Sequence, residues 1–72
     1  MKKVLGRVKQ RYRLRLPSKV IMADYDDREG DLYLRFREAE HPEGHPTEDG
    51  LVIVHTDKKG TVALEILNLA EL

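Results

Sequence analysis

Five basic residues at alternate positions, Arg7, Lys9, Arg11, Arg13 and Arg15, are the spacing in this sequence with the clearest chemical use. On an extended chain they share one face, because successive side chains of a strand point to opposite sides. The row spans about 27 Å at roughly 3.4 Å per residue. A cationic row of that length can follow a phosphate backbone, each contact releasing a condensed counterion. Tyr12 falls on the other side, so the basic face lacks the aromatic interleaving used for single-strand stacking. A paired ribbon in a dimer is the geometry that enters a major groove. The plainer use is a guard: charge along an exposed edge blocks strand-to-strand aggregation. The same row can also pair with Glu38, Glu40 or Glu65, or meet an acidic protein partner.

Other candidate chemistry is thinner. His41, His45 and His55 with Glu40, Glu43 and Glu48 are borderline and hard ligands of the kind zinc, nickel or manganese accepts. His41 and His45 are four apart, but Pro42 and Pro46 remove the helix that would aim both at one ion. Asp24, Asp26, Asp27, Glu29 and Asp31 crowd one turn without the alternate-position spacing and distant Glu of a calcium loop. There is no Cys, Ser18 is the single serine, and no Gly-rich phosphate loop is present. No catalytic residue, metal, cofactor or small-molecule substrate is expected, and the protein reads as not an enzyme.

These groups need elements to position them. Residues 50–67, GLVIVHTDKKGTVALEIL, read as one β-hairpin. Leu51, Val52, Ile53 and Val54 are apolar without a break, which suits a strand covered on both faces. Asp57, Lys58, Lys59 and Gly60 supply the turn: Asp bonds backbone two residues on, and Gly takes a positive φ. Val62, Leu64 and Ile66 then alternate with Thr61, Ala63 and Glu65. Shifting the chain by thirty residues lays Asp27 and Gly30 on Asp57 and Gly60, so a second hairpin with the same turn chemistry is expected. Its second strand places Leu32, Leu34 and Phe36 on a core face, with Tyr33, Arg35 and Arg37 opposite. Residues 38–49, with two prolines, read as a loop or irregular strand edge, and Asn68 as the cap of a last helical turn. The expected fold is mainly β: one antiparallel sheet of four or five strands at 4–16, 19–25, 31–38, 50–56 and 60–67.

Seventy-two residues make one domain, residues 1–72, with a thin core. With no Cys to cross-link it, self-association is the remaining staple, and a second copy of the sheet is the simplest cover for the 50–56 strand. The absence of Cys fits a reducing cytosol, and no run has signal or membrane-span length, so a cytoplasmic protein without membrane contact is expected. Charged residues are 36% of the chain, a composition that leans toward a thermophile. Net charge is zero, yet residues 1–23 carry eight bases and no acid, leaving five bases against thirteen acids in residues 24–72. Such asymmetry marks either an electrostatic partner or pairing between the two halves.

Tyr25-Asp26, then Gly30-Asp31-Leu32-Tyr33-Leu34-Arg35, Gly50-Leu51-Val52-Ile53-Val54, Asp57, Gly60 and Glu65-Ile66-Leu67 follow one another in an order that resembles domain-of-unknown-function family 2283. The resemblance covers residues 25–68 and departs from the family pattern at Ala63, Leu69 and Ala70, and at His55 or Thr56 where an aspartate is usual. It implies a small antiparallel β-fold and no established activity, with a hint of toxin-partner relatives. The function expected is a non-enzymatic β-sheet interaction module that forms a homo-oligomer. The alternative is an antitoxin-like or nucleic-acid-binding regulator using Arg7, Lys9, Arg11, Arg13 and Arg15.

Overall fold

Six aliphatic residues in two cross-strand rows organise the chain. Leu32, Ile66 and Val52 form one row, and Leu34, Leu64 and Val54 the next. The computed structural model describes residues 2–72. In chain order the elements are α1 (Lys2–Tyr12), β1 (Met22–Asp26), β2 (Asp31–Arg35), β3 (Glu43–Pro46), β4 (Val52–Asp57), β5 (Gly60–Ile66) and a 3-10 turn at Leu69–Glu71. The five strands make one antiparallel sheet in the order β1-β2-β5-β4-β3. The expected sheet of hairpins is therefore present, with the non-sequential β2–β5 pairing joining the two hairpins.

Both hairpin turns form, with one change of residue. Asp57 Oδ1 accepts the Lys59 amide at 2.8 Å, as its position in the turn requires. In the first hairpin the capping carboxylate is Asp26 rather than Asp27: its Oδ1 accepts the Arg28 amide at 3.0 Å and the Glu29 amide at 3.4 Å. Asp26 is the last residue of β1, so it occupies the start of the turn where an Asx side chain can reach forward. Gly30 at φ 76° and Gly60 at φ 120° hold backbone that an L side chain resists. Asn68 caps the terminal 3-10 turn, its Oδ1 accepting the Ala70 amide at 3.2 Å.

The first expected strand, 4–16, is absent: Lys2–Tyr12 is helix and residues 13–16 are an extended segment outside the sheet. Residues 4–16 contain two overlapping periods. Val8, Tyr12, Leu14 and Leu16 fit alternation, but Val4, Leu5, Val8 and Tyr12 fit a helix of 3.6 residues per turn. Helix prevails because the sheet has an apolar face to cover. Leu5 is 5% exposed and Val8 is fully buried, and both join Leu32, Leu34, Phe36, Val52, Val54, Leu64 and Ile66 in one core. Lys9 and Arg11 in the last helical turn complement the negative end of the helix dipole. Arg13 ends it in the left-handed region at φ 55°, and the Leu14 amide reaches back to the Lys9 carbonyl at 3.2 Å. That six-to-one bond closes the helix C-terminus. Alternation resumes only beyond it, with Leu14 and Leu16 turned to the core and Arg13 and Arg15 exposed.

A smaller difference lies in the second expected strand, while the 38–49 segment gives the strand edge that was one of its two readings. The expected 19–25 strand starts at Met22, and Ile21 and Met22 are 48% and 40% exposed rather than buried. The 38–49 segment supplies a short edge strand, β3, whose last residue is Pro46. Pro lacks an amide donor and is tolerated at such an edge.

Gly6 offers a direct check on the helix. It lies exposed in α1, and an added Cβ would meet nothing within 4 Å. Gly6→Ala is expected to raise stability by about 1 kcal/mol, roughly 4–8 °C in Tm. An unchanged or lower Tm would argue against a helix at this position.

Candidate functional site

The helix covers one face of the sheet, and no described element covers the other. Pleating assigns that open face by register. Since Leu32 and Leu34 point to the core, Asp31, Tyr33 and Arg35 of β2 point away from it. Opposite them stand Met22, Asp24 and Asp26 of β1 and Ala63 and Glu65 of β5, with Ile53 and His55 of β4 beyond.

At the centre of this face the side chains touch one another. The Tyr33 and His55 rings meet edge to face with centroids 6.1 Å apart. The Arg35 guanidinium lies over the Tyr33 ring, 5.7 Å from its centroid, and reaches Glu38 at 3.6 Å. Arg35 Nε donates to Tyr33 Oη at 3.4 Å, which holds the guanidinium pKa above its ordinary value. His55 Nε2 is 3.5 Å from Glu65 Oε1 and is closed off from solvent without a hydrogen bond inside the chain. Ala63 lies beneath these groups and is fully buried. Gly44 of β3 packs beside His55: a Cβ there would come within 3.2 Å of Ile53 and 3.3 Å of the imidazole. The result is a platform of aromatic, guanidinium, carboxylate and aliphatic groups.

The five cations expected in one strand row divide differently. Lys3, Arg7 and Arg11 recur every four residues along α1 and share a helical face, while Lys9 lies on the opposite flank. Arg13 and Arg15 project from the extended segment that follows. Arg11 is tied down: it pairs with Asp49 at 3.2 Å and donates to the Glu71 carbonyl at 3.3 Å. No carboxylate among the described residues pairs with Lys3, Arg7, Lys9, Arg13 or Arg15. Their expected partners lie elsewhere: Glu38 pairs with Arg35 and Glu65 faces His55.

Comparison with protein-family models, curated proteins and solved structures returned no match.

Two ion-pair clusters fix the frame around these surfaces. Asp49 gathers the Leu51 amide at 3.1 Å, the Thr47 hydroxyl at 2.7 Å, the Tyr12 hydroxyl at 2.8 Å and Arg11. The backbone amide and the two hydroxyls, with Arg11 beside them, lower its pKa to about 2. Asp57 is likewise lowered to about 2, chiefly by its two-pronged hydrogen bond with Arg37. Asp49 thus clamps the end of α1 to the β3–β4 turn, and Asp57 clamps the β4–β5 turn to the segment after β2.

His41 and His45 lie on the exposed β3 side. His45 Nε2 approaches Glu43 at 3.9 Å, and no group of three or more potential ligands converges among the described residues. Among the described residues, no helix is long and apolar enough to cross a membrane. Sequence reasoning placed Tyr33 and Arg35 on the side away from the core but left their role unassigned. The Tyr33–His55 contact and the pairing of Tyr33 with Glu65 need the β2–β5–β4 register, which no local signal carries.

Proposed function

We propose that this protein is a non-enzymatic interaction module that self-associates by covering the open face of its sheet. One observation carries the reading: Tyr33, Ile53, His55 and Glu65 form a packed but half-buried layer around Ala63, with nothing among the described residues over it. A sheet in a stable domain is layered on its apolar surfaces, and this one is layered on one side. The exposed side chain of Met22 extends the apolar rim of that face. The resemblance over residues 25–68 implies an antiparallel β-fold with no established activity, which is compatible with a binding role.

Size-exclusion chromatography with light scattering tests this. At tens of micromolar the mass is expected to exceed the 8.3 kDa of one chain. Ile53→Asp, at the centre of the open face, is expected to return the protein to a single chain while far-ultraviolet circular dichroism keeps its folded signal. A wild type that stays at the mass of one chain across the concentration range would overturn the reading.

A further inference from the structure

Charge divides the molecule into two unlike sides. The open face carries four carboxylates, Asp24, Asp26, Asp31 and Glu65, against the guanidinium of Arg35. Arg37, next in the alternation, is already bound to Asp57. The helix layer opposite carries Lys3, Arg7, Lys9, Arg11, Arg13 and Arg15, and residues 1–23 contain no acid at all. Two open faces brought together would therefore set carboxylates against carboxylates, and like charges at an interface are costly.

We infer that the open sheet face of one copy is covered by the cationic helix layer of a second copy, in a head-to-tail contact. The inference rests on the self-association proposed above and specifies its geometry. Dimensions agree: the 11 residues of α1 measure about 16 Å at 1.5 Å per residue. The sheet is roughly 19 Å across its five strands at about 4.8 Å spacing. Gly6 sits exposed on the outer face of α1 between Lys3 and Arg7, with no side chain to hold the helix axis off a facing sheet. Lys3 and Arg7 then reach Asp24 and Glu65 of the neighbour, their aliphatic stems lying along Tyr33 and Ile53. The contact uses different surfaces on the two copies, so it leaves a free helix layer at one end and a free sheet face at the other. Such contacts propagate unless rotation closes a ring. Mass is accordingly expected to rise with concentration past two chains, and to fall between 50 mM and 500 mM salt as the charges are screened.

A charge exchange decides it. Lys3→Glu with Arg7→Glu reverses the charge on the outer face of α1 where the contact is made, and an acid at position 3, in the first turn, also suits the helix dipole. Asp24→Lys with Glu65→Lys makes the sheet face basic. Each double variant alone is expected to run as a single chain with a folded circular dichroism spectrum. An equimolar mixture is expected to recover association, because positions 3 and 7 of each helix again meet residues 24 and 65 of opposite sign on the neighbouring sheet face. If the wild type associates and the helix variant does so equally well, head-to-tail docking is overturned while self-association stands. If the wild type is a single chain at every concentration, both are overturned. Saturable binding of a 20-base-pair DNA duplex to the wild type at 150 mM salt, lost in the helix variant, would also overturn it. That result assigns the cationic layer to a phosphate backbone.

Discussion

Leu64→Ala is expected to remove about 3–4 kcal/mol of stability, most of what a domain of this size holds. Leu64 is fully buried in β5, the central strand, between Leu34 of β2 and Val54 of β4. Leu5 and Val8 of α1 lie in the same core. Truncation therefore leaves a cavity bounded on two sides by hydrogen-bonded strands, and strands in register cannot close in to fill it. The cost includes the transfer free energy of three lost carbons and the contacts that the lining forfeits. Urea unfolding at low protein concentration measures the loss as a lower midpoint at constant slope. Lys58→Ala, an exposed turn residue, is the control and should stay within about 0.5 kcal/mol of wild type. Equal midpoints for Leu64→Ala and Lys58→Ala would show that the core is not centred on β5.

The second large effect is acid sensitivity. Asp49 and Asp57 each have a folded-state pKa of about 2, below the ordinary carboxylate value of 3.8. A carboxyl whose pKa falls on folding binds its proton more readily in the unfolded chain. Its contribution is therefore complete above about pH 4 and disappears as the pH drops toward 2. The urea midpoint is expected to be flat from pH 7 to 5 and to fall steeply between 4 and 2. Asp49→Asn keeps the side-chain shape but gives up the charge that Arg11 and the Leu51 amide face. It should lower the midpoint at pH 7 and flatten part of the acid slope, and Asp57→Asn should do the same. In the double variant the fall between pH 4 and 2 should be shallower than in either single variant. A wild-type profile that is already level there would show that neither carboxylate is held in its bonded form in solution.

The same Asp49 clamp explains why α1 stays where it is. A basic helix of 11 residues is too short to persist alone, and its first turn carries no acid to offset the dipole. Burial of Leu5 and Val8 supplies most of its stability. Arg11 and Tyr12, both bonded to Asp49, fix its end over the β3–β4 turn. The opposite end of the chain closes the arrangement, as the Leu69 amide donates to the Gly30 carbonyl at 2.8 Å. Helix and 3-10 turn are thus held against the sheet by contacts between residues far apart in sequence.

The sequence by itself determined the two hairpins, because strand alternation and turn chemistry are local. Leu32, Leu34 and Phe36 against Tyr33 and Arg35, or Val62, Leu64 and Ile66 against Glu65, assign faces within a few residues. Asp57 with Gly60 and Gly30 fix where the chain reverses, and Asn68 marks the terminal turn in the same local way. Tertiary structure alone decided between strand and helix at residues 2–12, where Val8 and Tyr12 serve both periods. The choice fell to helix because the rows Leu34–Leu64–Val54 and Leu32–Ile66–Val52 need a cover, and a helix carrying Leu5 and Val8 supplies one. The site followed the same division. Tyr33 and Arg35 were legible as facing away from the core, but the meeting of Tyr33 with His55 and Glu65 depends on β2 pairing with β5 across about thirty residues of chain. The cations were legible as a set, while their distribution over a helix face and an extended segment was not. Side-chain direction depends on the backbone period, and only packing against the sheet selects that period.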